Sequence, residues 1–194
     1  MITDESLIQA IAKKDQTALA MLYRSYSSKV YNTALSYLQN KEDAEELTQD
    51  VFTTIYLKAA GFKGESKVAT WIYRMTVNKS LDMIRKKKSE KRSAFFVSLY
   101  KKDTGELAYD QSMFDHPGVR LEQKENAAYL FKAIDKLPDK QKTVFILTQI
   151  EVLPQSEVAE IMATTRKGVE STLARAKQNL RIFLEKYYPD SGVN

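Results

Sequence analysis

Apolar residues recur at steps of three and four through most of this sequence, and no other feature constrains the fold as strongly. Within residues 15–38 the recurring positions are Leu19, Leu22, Tyr23, Tyr26, Val30, Tyr31, Ala34, Leu35 and Leu38. Two later stripes are Ala44, Leu47, Val51 and Ile55, then Tyr73, Val77, Leu81 and Ile84. Because this spacing places apolar side chains on one face of an α-helix, each segment is predicted to be a helix with a buried face.

Turn and capping residues mark where the predicted helices begin and end. Asn40 or Asp43 is expected to cap the second helix. The sequence GFKGES at residues 61–66 predicts a loop before a third helix over about residues 70–88. In the second half of the chain, helices are predicted over residues 122–137, 139–150 and 156–162 and from 166 onward, the last three capped by Asp139, Ser156 and Thr165.

Residues 93–123 separate the two groups of helices. They show no sustained hydrophobic period, and they contain Gly105, Pro117 and scattered acidic residues. This composition favours an extended, flexible linker. We therefore predict an all-α protein with two helical domains, residues 1–92 and residues 124–194.

The composition bounds the classes of function. The net charge is +5, with +5 in residues 1–92, −2 in 93–123 and +2 in 124–194, so a polyanionic partner is favoured for the two ends. The absence of cysteine excludes disulfides, thiolate zinc sites and cysteine nucleophiles. The first residues lack the layout of a signal peptide, and no apolar run is long enough to span a membrane. We expect a cytoplasmic protein without direct membrane insertion.

Residues 156–184 form the clearest functional pattern, a short helix, a tight turn and a longer helix. The long helix has an apolar side and an opposite polar side that carries Lys167, Glu170, Ser171, Ala174, Arg175 and Gln178. This arrangement is typical of a helix-turn-helix whose second helix enters the major groove. It is equally typical of a plain helical hairpin with a solvated face. Ala163 occupies the turn, where helix-turn-helix units often carry glycine.

Two further segments carry charge in a pattern. In residues 62–92 a glycine loop precedes a helix with a polar Arg74, Asn78 and Arg85 face and a lysine-rich end, which suits contact with phosphates and an unstacked base. The alternative is a solvated charge run beside ordinary core aromatics. In residues 42–52 acidic side chains favour a basic protein partner, although acids at a helix start also stabilise the helix dipole.

In this order, these segments resemble the sigma-70 superfamily of RNA polymerase subunits, specifically the extracytoplasmic-function (ECF) type. The resemblance is carried by DAEELTQDVFTTIY (43–56), FKGESKVATWIYRMTVNKSLDMIRKKK (62–88), LPDKQKTVFIL (137–147) and SEVAEIMATTRKGVESTLARAKQNLR (156–181). It spans nearly the whole chain outside the linker when the first helix is included. Any one motif is weak, but all four in order are specific.

The resemblance implies a role for each segment. The acidic helix of the family docks on the β′ subunit of core RNA polymerase, and the matching positions are Glu46, Gln49, Asp50 and Phe52. The loop and the third helix recognise and open the −10 promoter element, which implies DNA contacts by Phe62, Lys63, Ser66, Arg74, Asn78, Asp82, Arg85, Lys86 and Lys87. The helix-turn-helix recognises the −35 element, which implies DNA contacts by Arg166, Lys167, Glu170, Ser171, Arg175 and Lys177.

Two positions depart from the family pattern in the last helix. Glu170 stands where the family commonly has a cation, and Thr172 stands in place of an arginine. An acid that faces DNA repels phosphate, but it accepts a hydrogen bond from the cytosine amino group. The resemblance therefore predicts an unusual −35 sequence or weaker binding there.

The resemblance predicts a sigma factor that gives core RNA polymerase its promoter specificity and is not itself an enzyme. It implies core polymerase (β and β′ subunits), promoter DNA and an anti-sigma factor as partners, and no cofactor or metal. The first alternative is a stand-alone helix-turn-helix regulator, which binds an operator without polymerase. The others are a metal-dependent nucleic-acid hydrolase that uses the carboxylates of residues 42–50, and a pure interaction module.

Overall fold

The computed structural model describes the backbone of residues 2–100 and 124–185 and the side chains of residues 2–92 and 127–185. Helices dominate, and no strand occurs within these ranges. The helices are α1 (Asp4–Ala12), α2 (Gln16–Leu38), α3 (Lys41–Lys58), α4 (Val68–Tyr100), α5 (Lys124–Asp135), α6 (Asp139–Phe145), α7 (Gln155–Ile161) and α8 (Arg166–Glu185). The all-α prediction is confirmed.

The first domain is a bundle of α1 to α4 around its own apolar core. Asp15 caps α2 by accepting hydrogen bonds from the backbone of Thr17 and Ala18, and Asn40 caps α3. The predicted stripe of α3 is buried. The core of the domain is formed by Leu7, Ile8, Ile11, Ala18, Leu22, Tyr26, Val30, Ala34, Leu35, Ala44, Leu47, Val51, Phe52, Ile55, Ala59, Val68 and Ile72.

Helix α1 was not predicted from the sequence. Thr3 and Ser6 form a reciprocal capping box at its start, and Leu7, Ile8 and Ile11 are buried on one side. With nine residues the helix is too short to be stable alone. Packing of its apolar side against the first domain therefore stabilises it.

The second domain is built by α5 to α8, and prolines rather than the predicted side chains begin two of its helices. Pro138 precedes α6 and Pro154 precedes α7, at φ −54° and −56°. Proline suits a helix entry because its φ is already near the helical value. Asp139 and Ser156 are consequently inside the first turns and do not cap them. Thr165 does cap α8, since its hydroxyl accepts a hydrogen bond from Gly168 N at 3.0 Å.

A tight junction follows α6. The helix widens into one π-helical turn, Ile146–Ile150, and the chain then turns sharply, with Val152 at φ +53°. A β-branched residue in this left-handed region is strained. The turn is held by Leu153 N, which donates to Leu147 O at 2.9 Å.

The third predicted stripe lies between the two domains. Tyr73 and Val77 of α4 are buried together with Tyr37 of α2 in one apolar cluster with the core of the second domain, and Leu81 and Ile84 pack on its edge. The members of this cluster from the second domain include Phe131, Ile134, Leu137, Val144, Phe145, Ile146, Leu147, Val158, Ile161, Val169, Leu173 and Leu180. The domains therefore share a continuous core.

Helix α4 is longer than the helix predicted over about residues 70–88. Helix α4 starts at Val68 and continues to Tyr100, eight residues beyond the predicted boundary at residue 92. No glycine or proline occurs between Val68 and Gly105, so neither of these helix-breaking residues stops the helix at residue 92. The remainder of the predicted linker, residues 101–123, lies outside the described residues.

Candidate nucleic-acid interface

Helix α8 presents the predicted −35 contact residues on its outer surface. Its apolar side is buried through Val169, Leu173, Ala176 and Leu180. The six predicted DNA contacts are all exposed, namely Arg166, Lys167, Glu170, Ser171, Arg175 and Lys177. The hairpin therefore uses one side of α8 for packing and leaves the polar side open to a ligand.

Two pairs of side chains order that polar side. Arg166 Nε lies 3.2 Å from Glu170 Oε1, and the Arg175 guanidinium donates to Ser171 Oγ at 2.9 Å. Both pairs span one helical turn. The Ser171 hydroxyl thus holds the Arg175 guanidinium along the helix, and because this hydroxyl is neutral, a base edge can replace it. The charge of Arg166 is partly neutralised by Glu170.

The turn between α7 and α8 is tight, and an alanine takes the left-handed position in it. Ala163 has φ +49°, in the left-handed region that glycine favours. Thr164 N donates to Ala159 O at 2.9 Å and so closes the end of α7. Ala163 therefore takes the backbone conformation that a glycine would take there, and the backbone is strained as a result.

The loop before α4 carries the first three predicted −10 residues. Phe62 is half-buried, and its ring stacks obliquely on Trp71 with 5.0 Å between centroids. Lys63 is exposed and Ser66 is half-buried. Gly64 has φ +73° with open space where a Cβ would lie, so glycine is required there by the backbone turn and not by crowding.

Along α4, the predicted −10 residues differ in accessibility. Asn78, Asp82 and Arg85 are exposed, and Asp82 and Arg85 pair with each other. Arg74 is half-buried, and its guanidinium donates to Glu160 O at 2.5 Å and to Ile161 O at 3.2 Å in the last turn of α7. One predicted DNA contact is therefore engaged by the second domain.

The basic end of α4 extends this face with lysines. Lys86 and Lys87 are both exposed. Lys86 Nζ lies 3.9 Å from Glu90 Oε1, and Lys87 bonds to Asp43 at the start of α3. Exposed ion pairs of this kind contribute little stability, so a phosphate can replace the carboxylate.

The predicted polymerase contacts on α3 divide into exposed and buried residues. Glu46, Gln49 and Asp50 are exposed, and Asp50 forms an ion pair with Lys79 at 2.6 Å. Phe52 is only 5% exposed and packs on Tyr23 with 4.7 Å between ring centroids. In this structure Phe52 belongs to the core, and the accessible aromatic at this place is Tyr23.

Sequence reasoning missed two polar residues between the domains. Gln39, in a left-handed conformation at the end of α2, donates to Phe131 O at 3.2 Å and to Asp135 Oδ2 at 3.0 Å. Glu151 follows the π-helical turn and is half-buried, and burial raises its pKa to about 7. A glutamine after a helix and a glutamate in a loop carry no sequence signal for such roles.

Two further kinds of feature, a metal-binding cluster and a membrane-spanning helix, are not found among the described residues. Among the side chains of residues 2–92 and 127–185, no cluster of three or more histidines, aspartates or glutamates is arranged to hold a metal. None of the helices in these ranges is both long and apolar enough to cross a membrane.

Comparison with known families assigns both halves of the chain. The sigma-70 region 2 model matches residues 22–90, and the sigma-70 region 4 model matches residues 127–180. The ECF RNA polymerase sigma factor SigW of Bacillus subtilis (strain 168) is 30% identical across 90% of this chain and 92% of its own length. The chain belongs to the ECF sigma factors of the sigma-70 family.

Other relatives of this sigma factor support the same family and fold. The ECF RNA polymerase sigma-E factor of Haemophilus influenzae is 28% identical, with 91% of this chain and 93% of that protein covered. Among solved structures, CnrH in complex with the cytosolic domain of CnrY has a TM-score of 0.67 at 21% identity, covering 97% of this chain and 99% of that chain.

The sigma factor RpoE in complex with the anti-sigma factor NepR from Bartonella quintana has a TM-score of 0.58 at 18% identity, covering 86% of this chain and 96% of that chain. At these identities the solved structures show the shared fold alone. The fold of this sigma factor is therefore common to proteins whose sequences have diverged widely.

Proposed function

We propose that this sigma factor directs core RNA polymerase to promoters by dividing recognition between its two domains. Helix α8 contacts the −35 element in the major groove. The loop at residues 62–67 and α4 contact and open the −10 element, and the exposed acids of α3 dock on the polymerase. The chain gives core RNA polymerase its promoter specificity and catalyses no reaction of its own.

The outer face of α8 carries this proposal. It is a polar surface on the second helix of a helix-turn-helix, in a chain whose halves match sigma regions 2 and 4. Arginine is the usual partner of guanine N7 and O6, so Arg175 is the principal base contact. Arg166 and Lys167, in the first turn of α8, are assigned to phosphates, which position the helix without specifying sequence.

Binding and opening of the −10 element are assigned to side chains of different kinds. The half-buried ring of Phe62 stacks on Trp71 and borders the loop that receives an unpaired base. Lys63, Lys86 and Lys87 supply phosphate contacts, whose contribution falls as the salt concentration rises. Flipping a base costs a few kcal/mol, which the pocket and the polymerase together offset.

The partners follow from the same assignment. Core RNA polymerase and promoter DNA are the two obligatory ones, and both place the activity in the bacterial cytoplasm. Two proteins of the same fold have been solved as complexes with CnrY and with the anti-sigma factor NepR. We extend this to an anti-sigma factor as a third partner of this chain, covering its DNA-contacting surfaces.

Run-off transcription tests the proposal. The purified chain is combined with core polymerase and a library of promoters with randomised −10 and −35 elements, and transcripts are sequenced. Enrichment of two elements at a fixed separation is expected, and only when both proteins are present. Tight binding to a selected duplex without polymerase, with no transcript, would instead establish a stand-alone helix-turn-helix regulator.

A further inference from the structure

The polar side of α8 carries one acid among several cations. Residues 166–184 contain five lysines or arginines and a single acidic residue, Glu170. Glu170 lies in the second turn of α8, and its side chain is 50% exposed. In a helix-turn-helix the N-terminal part of the second helix contacts the base edges. Glu170 is therefore on the part of α8 that comes nearest to the bases, where it is also close to phosphates.

Glu170 is paired with a cation one turn before it. Arg166 Nε lies 3.2 Å from Glu170 Oε1, and the arginine side chain is 73% exposed. Exposed pairs of this kind contribute little to stability, so the main effect of this pair is on the surface charge. Arg166 offsets the repulsion between the carboxylate and the phosphates. Because a carboxylate accepts several hydrogen bonds at once, Glu170 can keep this ion pair and accept a further hydrogen bond from DNA.

Glu170 and Arg175 are too far apart to contact the same base pair. The Arg175 guanidinium is held by Ser171, so the two ordered pairs form separate rows along the exposed side of α8. The five residues from Glu170 to Arg175 span about 7.5 Å along the helix axis, at about 1.5 Å per residue. Neighbouring base pairs are about 3.4 Å apart. A base contact by Glu170 would therefore be additional to the guanine contact assigned to Arg175.

The chemistry of the major groove limits the base that a carboxylate can bind. Cytosine N4 and adenine N6 are the amino groups exposed there, whereas guanine and thymine present oxygen or nitrogen acceptors. A carboxylate is itself an acceptor, so guanine and thymine oxygens repel it. Adenine places its N7 acceptor beside the amino group, whereas cytosine offers the amino group alone. Cytosine is therefore the base that Glu170 favours.

We infer that Glu170 is a specificity-determining residue of α8, which selects a cytosine in the −35 element by accepting a hydrogen bond from the N4 amino group. This inference rests on the proposed function, because it identifies one of the bases that α8 contacts. Opposite any other base the carboxylate lacks its best donor and still repels nearby phosphates. Glu170 thus weakens binding to incorrect sequences as well as stabilising the correct one.

Selection of −35 sequences by variants of Glu170 tests this role. The full-length chain is combined with core polymerase and a promoter library randomised in the −35 element, and the bound promoters are sequenced. The wild type is expected to favour cytosine at a position whose preference Arg175→Ala leaves unchanged. Glu170→Ala is expected to remove that preference alone. Glu170→Gln is expected to replace it by a preference for adenine, because an amide accepts from N6 and donates to N7.

The matched control is a glutamate at the other end of the same helix. Glu185 is exposed and is the last residue of α8. Its replacement in Glu185→Ala removes the same charge far from the N-terminal part of the helix. This variant is expected to select the same −35 element as the wild type.

A modified base tests the hydrogen bond itself. One hydrogen of the cytosine amino group pairs with guanine, and the other faces the major groove. In a promoter with N4-methylcytosine at the selected position, a methyl group replaces the second hydrogen. The affinity of the wild-type holoenzyme is expected to fall about tenfold, as for the loss of one hydrogen bond to a charged group. The Glu170→Ala holoenzyme is expected to bind the two promoters equally.

Two results would overturn the inference while leaving the proposed function in place. One is a selected −35 element in which no cytosine preference depends on Glu170, although Arg175 still determines another position. The other is an equal loss of affinity on N4-methylation for the wild type and for Glu170→Ala. If the wild type selects no promoter with core polymerase, the proposed function is wrong and the inference falls with it.

Discussion

At the scale of single residues, Glu151 is the most unusual ionisable group in the described chain. It lies in the junction between the π-helical turn and Val152, and burial raises its pKa to about 7 from 4.5, while the neighbouring Thr33 hydroxyl acts in the opposite direction. No ion pair to Glu151 forms within the described residues. The groups that interact with it are Thr33 and Tyr37 of α2 and Tyr73 of α4.

The raised pKa of Glu151 predicts a pH-dependent stability. The folded chain favours the protonated form of the Glu151 carboxyl. The contribution of this carboxyl to the free energy of unfolding is therefore fully present below pH 4.5 and is lost as the pH rises through about 7. The loss is at most about 3 kcal/mol, since each pKa unit corresponds to about 1.4 kcal/mol. Glu151→Gln is expected to flatten this dependence and to raise stability above pH 7. Urea unfolding at a series of pH values measures it, and parallel curves for the two proteins would contradict the prediction.

Ala163 predicts a second effect of a single residue. An L-residue in the left-handed region costs about 1–2 kcal/mol, and glycine avoids this at an entropic cost of about 0.5–1 kcal/mol. Ala163→Gly is therefore expected to stabilise the chain by about 0.5–1 kcal/mol. The same substitution at Ala174, exposed in the middle of α8, is expected to destabilise by about 1 kcal/mol. Urea unfolding measures both changes. If both substitutions shift the free energy of unfolding in the same direction, the turn is not strained.

At the scale of one element, α8 combines a buried apolar side and an exposed polar side within twenty residues. The polar side is pre-ordered, because Ser171 holds the Arg175 guanidinium against the helix. Arg175→Ala is expected to reduce discrimination at one −35 position by about 1–3 kcal/mol, as for a lost bidentate base contact. Competition binding of the polymerase holoenzyme to promoters with single −35 substitutions measures this.

The control for Arg175 lies on the same helix. Arg181 is also an exposed arginine, six residues further on, and Arg181→Ala is expected to leave every −35 preference unchanged. If Arg175→Ala instead weakens binding equally to all sequences, Arg175 contacts a phosphate. The base contact would then have to be assigned to another side chain of α8.

At the scale of the whole molecule, the shared apolar cluster couples two domains that the sequence presents as separate. Trp71 is the only tryptophan and lies in the first domain, so its fluorescence reports that domain, while circular dichroism reports all helices. Because Tyr37, Tyr73 and Val77 are buried against the second domain, the two signals are expected to show one common thermal midpoint. Val77→Asp places a charge in this contact and is expected to separate the two midpoints.

The matched control for Val77 is a residue confined to one core. Val51 is fully buried among side chains of the first domain, so Val51→Ala is expected to lower stability by leaving a cavity there. The contact between domains is untouched, and the two midpoints should stay together. Separate midpoints in the wild type would mean that the domains do not stabilise each other.

The sequence by itself determined the helices other than α1, and the two sides of α8. Helical period is a local property, and a polar and an apolar side follow from it without knowledge of the partner, as Val169 and Arg175 illustrate. The loop at residues 61–66 and the caps Asn40 and Thr165 are likewise local, since they depend on neighbouring backbone groups.

Only the tertiary structure decided what those sides contact. A stripe such as Tyr73 and Val77 requires burial, but its period cannot distinguish the core of its own domain from that of another. The acceptors of Arg74 are main-chain carbonyls 86 and 87 residues away, and backbone carbonyls occur at every position. The sequence predicts Arg74 as a DNA contact, and only the packing of the two domains placed it against α7.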